Sequence, residues 1–168
     1  VVGAKHYYIW DPDPNHSSGP TIDASLQSCG YVGDYGTSLP TTELDQYLAI
    51  FVCVGIYSDN YTIDDGSAEA TALENYVNNG GRMYLEGGDV WYWDPLHGGY
   101  DFGPLFGIYA TSDGSSDLAT IQGQSSTFTT GMSFSYSGEN SWIDHISPTG
   151  TGFLIFENSS PSYDCGVA

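Results

Sequence analysis

Carboxylates that follow predicted strands are the side chains of this sequence best suited to chemistry. Asp11 follows one apolar segment, and Glu86 and Asp89 follow another. Ligands of open parallel sheets bind beyond the carboxyl ends of the strands, so we expect these groups at one edge. Glu86 paired with Asp89 or Asp11 has the chemistry of a glycoside hydrolase, in which one carboxyl group is the acid and the other the base or nucleophile. The alternative is that Glu86 caps neighbouring backbone N–H groups.

A second candidate site lies in the acidic segment that begins at Asp11. Asp11, Asp13 and Asn15 offer oxygens at alternating positions, as the opening of a calcium loop does. The segment lacks the glycine at the sixth position and the closing glutamate of an EF-hand. We therefore expect either calcium, the one cofactor that the sequence suggests, or a proline-rich acidic loop without an ion.

An aromatic cluster follows Glu86 among glycines. It comprises the rings of Trp91, Tyr92, Trp93, Tyr100, Phe102 and Phe106. Aromatic rings on a loop stack on sugars or on a partner protein, and they also form lids over the end of a sheet. The cluster, with Trp91, Tyr92, Trp93 and Tyr100 as its contact residues, is thus either a surface for glycans or partners or a packed lid.

The cysteines do not form a metal-type CxxC pair. Cys29, Cys53 and Cys165 are compatible with one disulfide and a free thiol, or with no disulfide. Cys53 lies in the most apolar segment of the chain, so we expect a buried, inert thiol rather than a nucleophile served by His97 or His145. The sequence therefore shows no complete catalytic apparatus.

The charge balance excludes several partners. Lys5 and Arg82 are the only Lys and Arg against 21 Asp and Glu, which gives a net charge of −19. Nucleic acid and anionic lipid are excluded because both require cationic side chains. No apolar run of about 18 residues is present, so membrane insertion is not expected. Sequons at Asn15, Asn60 and Asn158 favour a glycosylated protein that is secreted or displayed at the cell surface.

Alternating strands and helices must position these groups. The sequence predicts strands at 4–10, 48–55 and 82–86 and helices near 20–29 and 67–79. Such alternation predicts right-handed crossovers and a mainly parallel central sheet with helices on both faces. Weak strands at 118–121 and 132–136 and a stronger one at 153–157 predict that the second half is an elaborated, mixed edge of this sheet. We expect one α/β domain over residues 1–168.

Residues 48–91 resemble the middle of class I glutamine-amidotransferase-like domains. The resemblance rests on an apolar strand, a helix with Ala-Leu-x-x-Tyr-Val, an Asn-Gly-Gly turn, a further strand and Gly-Gly. Residues 137–146 also resemble modules of secreted multidomain bacterial proteins. The resemblance implies a flavodoxin-like three-layer sandwich. It also implies a non-catalytic member, because Gly87, Gly88 and Asp89 stand where catalytic members carry their nucleophilic Cys.

These observations together favour a non-enzymatic structural or adhesive module of an extracellular or cell-surface protein. Residues 163–168 have the pattern of an open sheet edge without Lys. Either the C-terminus is trimmed, or a neighbouring subunit completes the sheet and a homo-oligomer, filament or surface layer forms. Neighbouring domains of a larger surface protein are the other expected partners. The alternatives are a secreted hydrolase that cleaves glycans or peptides through strand-end carboxylates, and a carbohydrate-binding module that uses the aromatic cluster.

Overall fold

The structure is a computed structural model that describes residues 5–168, and it divides the chain into two units, Val1–Gly87 and Gly88–Ala168. The single domain expected over residues 1–168 stays a prediction. The two units are described one at a time.

The first unit is an α/β arrangement built on a parallel sheet. Its strands and helices are β1 (Lys5–Trp10), α1 (Gly19–Ser28), β2 (Gly33–Gly36), β3 (Tyr47–Cys53), α2 (Ala68–Asn78) and β4 (Arg82–Glu86). The strand order is β2-β1-β3-β4, and every pair is parallel. The three predicted strands and two predicted helices are confirmed, except that Ala4 lies outside the described residues.

Local sequence signals explain where the two helices begin and end. Ile22 and Leu26, one turn apart on α1, pack against a buried cluster that contains Tyr7 and Ile9 of β1. The helix ends at Ser28, and Gly30, just beyond its C-cap Cys29, has a left-handed φ of 84°, a conformation that glycine adopts without steric cost. Helix α2 begins at the N-cap Ser67, whose hydroxyl accepts a hydrogen bond from the backbone N–H of Ala70 at 3.0 Å.

The second unit consists of short helices and antiparallel strands. Its elements are α3 (Trp93–Leu96), α4 (Gly103–Phe106), β5 (Ile108–Ser112), β6 (Thr120–Gly123), β7 (Ser133–Ser135), β8 (His145–Pro148), β9 (Leu154–Ser159) and β10 (Ser162–Val167). One sheet has the order β10-β9-β6-β7, and β5 pairs with β8 in a second sheet. Strands β6, β7 and β9 overlap the segments predicted at 118–121, 132–136 and 153–157.

The expectation that these later strands form a mixed edge of the parallel sheet is wrong. They pair only with one another within the described residues, and all of these pairs are antiparallel. The reason lies in the connections. Two residues join β9 to β10, a hairpin length, whereas a parallel neighbour needs a crossover of roughly a dozen residues or more.

Candidate functional site

The predicted calcium ligands lie in the loop that follows β1. Asp11 and Asp13 are 0% and 2% exposed. The Asp11 Oδ2 atom accepts a hydrogen bond from the hydroxyl of Tyr35 at 2.7 Å. Asp13 accepts from the backbone N–H of Asn15 at 2.9 Å, and the Asn15 amide donates to Asp59 at 3.4 Å. The Asp11 Oδ1 atom is buried without a hydrogen-bond partner among residues 5–168, whereas the other oxygens named here are engaged. A calcium ion at Asp11, Asp13 and Asn15 stays a prediction.

Glu86 lies at the end of β4 and accepts a hydrogen bond from Tyr84 at 2.6 Å. Both side chains line a cavity of about 500 Å³, together with Ser17, Ser18, Thr21, Ile22 and Phe51. Glu86 belongs to the first unit and Asp89 to the second, so the predicted carboxylate pair stays a prediction.

The Cys53 thiol is buried, as expected, with 1% of the residue exposed. Burial, and the charge of Glu86 after it, raise the pKa of this thiol far above its usual range. All three cysteines are free thiols, with Cys29 exposed and Cys165 half-buried. A buried thiol with a raised pKa is a poor nucleophile.

A cluster of aspartates in the second unit was not predicted from the sequence. One oxygen from each of Asp89, Asp113 and Asp144 lies within 4.8 Å of the others. Asp113 follows β5 and Asp144 precedes β8. Because Ser112 and His145 are paired in the antiparallel ladder, that pairing brings the two aspartates together.

Backbone contacts hold the Asp144 carboxylate in place beside Asp89. The N–H of Asp144 donates to the carbonyl of Gly88 at 2.7 Å. Its Oδ2 atom accepts hydrogen bonds from the backbone N–H groups of Trp91 at 2.9 Å and Tyr92 at 2.7 Å. The segment that carries Asp89 therefore wraps around Asp144.

The electrostatics of this aspartate cluster are unfavourable for three separate charges. Asp89 and Asp144 are each 3% exposed. Burial, together with the neighbouring aspartates, raises the pKa of Asp89 to about 7 and that of Asp144 to about 7. Burial also raises the pKa of Asp113. The Oδ1 atoms of Asp113 and Asp144 are buried and have no hydrogen-bond partner among residues 5–168. Three carboxylates this close together must either bind a cation or have one or more of their number protonated.

The aromatic cluster is mostly packed within the second unit. Trp91 packs edge-on against Phe106 with ring centroids 5.3 Å apart, and Tyr100 packs similarly on the buried Phe102 at 4.7 Å. Tyr92 is half-buried. Trp93 is 45% exposed and stacks on the ring of His97 at 3.9 Å, so it presents the largest accessible ring of the four predicted contact residues.

A serine, a histidine and an aspartate also meet in the second unit, and the sequence did not indicate this. His145 Nδ1 lies 3.4 Å from the Ser112 hydroxyl, and its Nε2 lies 3.1 Å from Asp117 Oδ2. Tyr163 stacks on the imidazole with centroids 3.7 Å apart. Ser112 and Asp117 lie close together in the sequence, and the β5–β8 pairing brings the distant His145 to them.

The three sequons differ in exposure. Asn15 is exposed and Asn60 is half-buried. Asn158 is fully buried, and its side-chain amide donates to the carbonyls of Asp117 and Pro161 at 2.9 and 2.7 Å. A glycan on Asn158 would require these contacts to break, whereas Asn15 and Asn60 stay candidates for glycosylation.

No helix within residues 5–168 combines the length and the apolar character needed to cross a membrane. Comparison of the chain with protein-family models, with curated proteins and with solved structures gave no significant match.

Proposed function

We propose that this chain is a non-enzymatic structural or adhesive module of an extracellular or cell-surface protein, and that it self-assembles by adding strands at an open sheet edge. The observation that carries the proposal is the edge formed by β7. We further propose that the first unit is a flavodoxin-like domain related to the non-catalytic glutamine-amidotransferase-like group, which the parallel sheet and the inert Cys53 support.

Strand β7 has the features of an unprotected edge. It is last in the order β10-β9-β6-β7, and all three of its residues are exposed. The N–H of Tyr136 donates to Ala119, and the N–H of Gly123 donates to Met132, so residues 132 and 136 face β6. By the alternation of a strand, the N–H and C=O groups of Ser133 and Ser135 point away from β6.

The surroundings of β7 favour association. Phe128, Met132 and Phe134 are 70%, 43% and 52% exposed. Residues 119–147 contain no Lys, Arg or Pro, the residue types that usually protect edges. A second chain can therefore form backbone hydrogen bonds along β7 and cover its apolar side chains.

The predicted open edge at residues 163–168 is less suitable. Strand β10 lies at the opposite edge of the sheet, but its register with β9 shifts between Asp164 and Gly166. Such an irregularity disrupts the ladder and discourages further pairing. We therefore place the assembling edge at β7.

Light scattering as a function of protein concentration tests the proposal. Salt and calcium are present because the net charge of −19 makes the subunits repel one another. The wild-type chain should grow in mass with concentration. Ser133→Lys places a charge on the edge, and Ser135→Pro removes an outward N–H without removing a bond to β6. Both variants should stay monomeric.

Ser28→Lys is the matched control, because it makes the same substitution at an exposed position at the end of α1. This control should assemble as the wild type does. A monomeric wild type at the highest concentration, or equal assembly by all variants, would contradict the proposal.

The Ser112, His145 and Asp117 group favours a second candidate function, hydrolysis of an ester or amide. The Ser112 hydroxyl would attack the carbonyl carbon while His145 accepts its proton and Asp117 orients the imidazole. His145 would pass that proton to the departing alcohol or amine as the ester or amide bond breaks, and water would then hydrolyse the acyl-enzyme. A fluorophosphonate probe would then label the wild-type chain and not Ser112→Ala. Absence of labelling in the folded wild type removes this alternative.

A further inference from the structure

The second unit contains buried acidic side chains and has no Lys or Arg to balance their charge. Asp89 and Asp144 are each 3% exposed, and Asp113 is half-buried beside them. Residues 88–168 contain no Lys or Arg. The nearby His145 has its Nε2 atom against Asp117 at 3.1 Å. Buried charges require a partner, and His97 and His145 are the only side chains of residues 88–168 that can carry a positive charge.

Two buried oxygens in the cluster lack hydrogen-bond donors. Two backbone N–H groups satisfy Asp144 Oδ2, but Asp144 Oδ1 is buried without a partner in the described part of the chain. The same holds for Asp113 Oδ1. Folded proteins leave few such atoms unsatisfied, and a bound ion is one of the standard explanations. These orphan oxygens are observations independent of the acidic clustering.

We infer that Asp89, Asp113 and Asp144 bind one calcium ion. The ligand set contains oxygen alone, which hard cations prefer over the transition metals. Oxygens as far apart as 4.8 Å can contact one ion at about 2.4 Å each, the usual calcium distance. Magnesium binds at about 2.1 Å, demands near-ideal octahedral geometry and gives up its water ligands reluctantly, so a cluster of three protein carboxylates suits calcium better.

The surrounding backbone also holds two of the three ligands in position. The β5–β8 ladder fixes Asp113 and Asp144 as neighbours, and the hydrogen bonds of Trp91 and Tyr92 fix the orientation of Asp144. Ligands that are held in place before the ion arrives lose less conformational entropy on binding. The inference goes beyond the proposed function and does not depend on it, since a monomer can bind the ion.

Terbium luminescence tests the site directly, because Tb³⁺ accepts the same oxygen ligands as calcium. The backbone of Trp91 contacts Asp144, so its indole is close enough to sensitise bound Tb³⁺. After a chelator has removed bound metals and Tb³⁺ has been added, excitation of tryptophan should give terbium emission. Calcium should displace Tb³⁺ and abolish this emission, whereas the same concentration of magnesium should not. The melting temperature should rise with calcium concentration, because the ion binds the native state.

Variants then assign the ligands. Asp113→Asn should weaken calcium binding by roughly tenfold or more, which titration calorimetry measures. Asp144→Asn is the second variant and should lose the calcium-dependent increase in melting temperature. Asp101→Asn, the same change at an exposed residue of this unit, should bind as the wild type does.

Asp13→Asn separates this site from the acidic loop of the first unit. Calcium binding unchanged in Asp13→Asn supports the inference, and binding lost in that variant alone overturns it. Wild-type protein that shows neither sensitised emission nor a change of melting temperature in millimolar calcium also overturns it, as does equal calcium affinity in the wild type and Asp113→Asn.

Discussion

Replacing Asp113 by Asn in the chelator-stripped protein should raise the free energy of unfolding, although the residue is half-buried. Two unit charges 4.8 Å apart repel by about 3.5 kcal/mol at an effective dielectric constant of about 20. Asp113 forms two such pairs, with Asp89 and Asp144. Partial exposure and proton uptake reduce the repulsion, so we expect a gain of about 1–3 kcal/mol. Burial raises the pKa of Asp113, which likewise means that its charged form is disfavoured in the folded protein.

Urea denaturation at mildly alkaline pH with excess EDTA measures this gain. The Asn amide can also donate to the orphan Oδ1 atom of Asp144, which adds to the stabilisation. Asp101→Asn keeps the acceptor that binds the Gly103 N–H and should change stability by less than about 0.5 kcal/mol. With calcium present, the advantage of Asp113→Asn should shrink or reverse. Destabilisation of Asp113→Asn in EDTA would show that the three carboxylates do not repel one another as argued.

Three further predictions concern other parts of the chain. Asn158→Ala should lower the free energy of unfolding by about 3–5 kcal/mol in urea denaturation, because the N–H groups of Ala119 and Thr120 and two backbone carbonyls lose their hydrogen-bond partner. Ser160→Ala removes the same sequon at an exposed residue and should change stability little, so equal losses in the two variants would contradict this. A thiol reagent at mildly alkaline pH should modify the exposed Cys29 first. Burial raises the pKa of the Cys165 thiol to about 12 and that of the Cys53 thiol further, so modification of Cys53 in the native state would contradict the prediction. If the aromatic cluster binds glycans, Trp93→Ala should abolish retention of the protein on polysaccharide columns. The melting temperature should stay unchanged because 45% of Trp93 is exposed. Full retention of the variant would exclude this surface.

Local signals were sufficient to predict both α-helices of the first unit and three of its four strands, all except the short β2. Gly30 and Ser67 mark helix ends by their own conformational and hydrogen-bonding preferences, so α1 and α2 could be placed within a residue or two. Strand β4 has the predicted bounds because a short apolar run follows a glycine turn. The coarse α/β class follows from this alternation alone.

The aspartate cluster could not be predicted in this way. Asp113 and Asp144 are distant in the sequence, and only the register of β5 with β8 makes them neighbours. Strand β5 carries no strong periodicity, and its pairing depends on long-range contacts that local propensity does not encode. The same pairing brings Ser112 to His145. The sequence nevertheless carried one signal, since acidic residues in a stretch without Lys or Arg favour a bound cation that relieves their repulsion.

Hydrogen exchange of strand β7 at low and high protein concentration tests the proposed self-assembly most directly. Mass spectrometry of peptides that cover residues 130–138 reports the exchange of the outward N–H groups of Ser133 and Ser135. Protection of these peptides should increase with concentration in the wild type and in Ser28→Lys, and it should stay constant in Ser133→Lys. Identical exchange of β7 at every concentration, with a monomeric mass throughout, would contradict assembly through this edge.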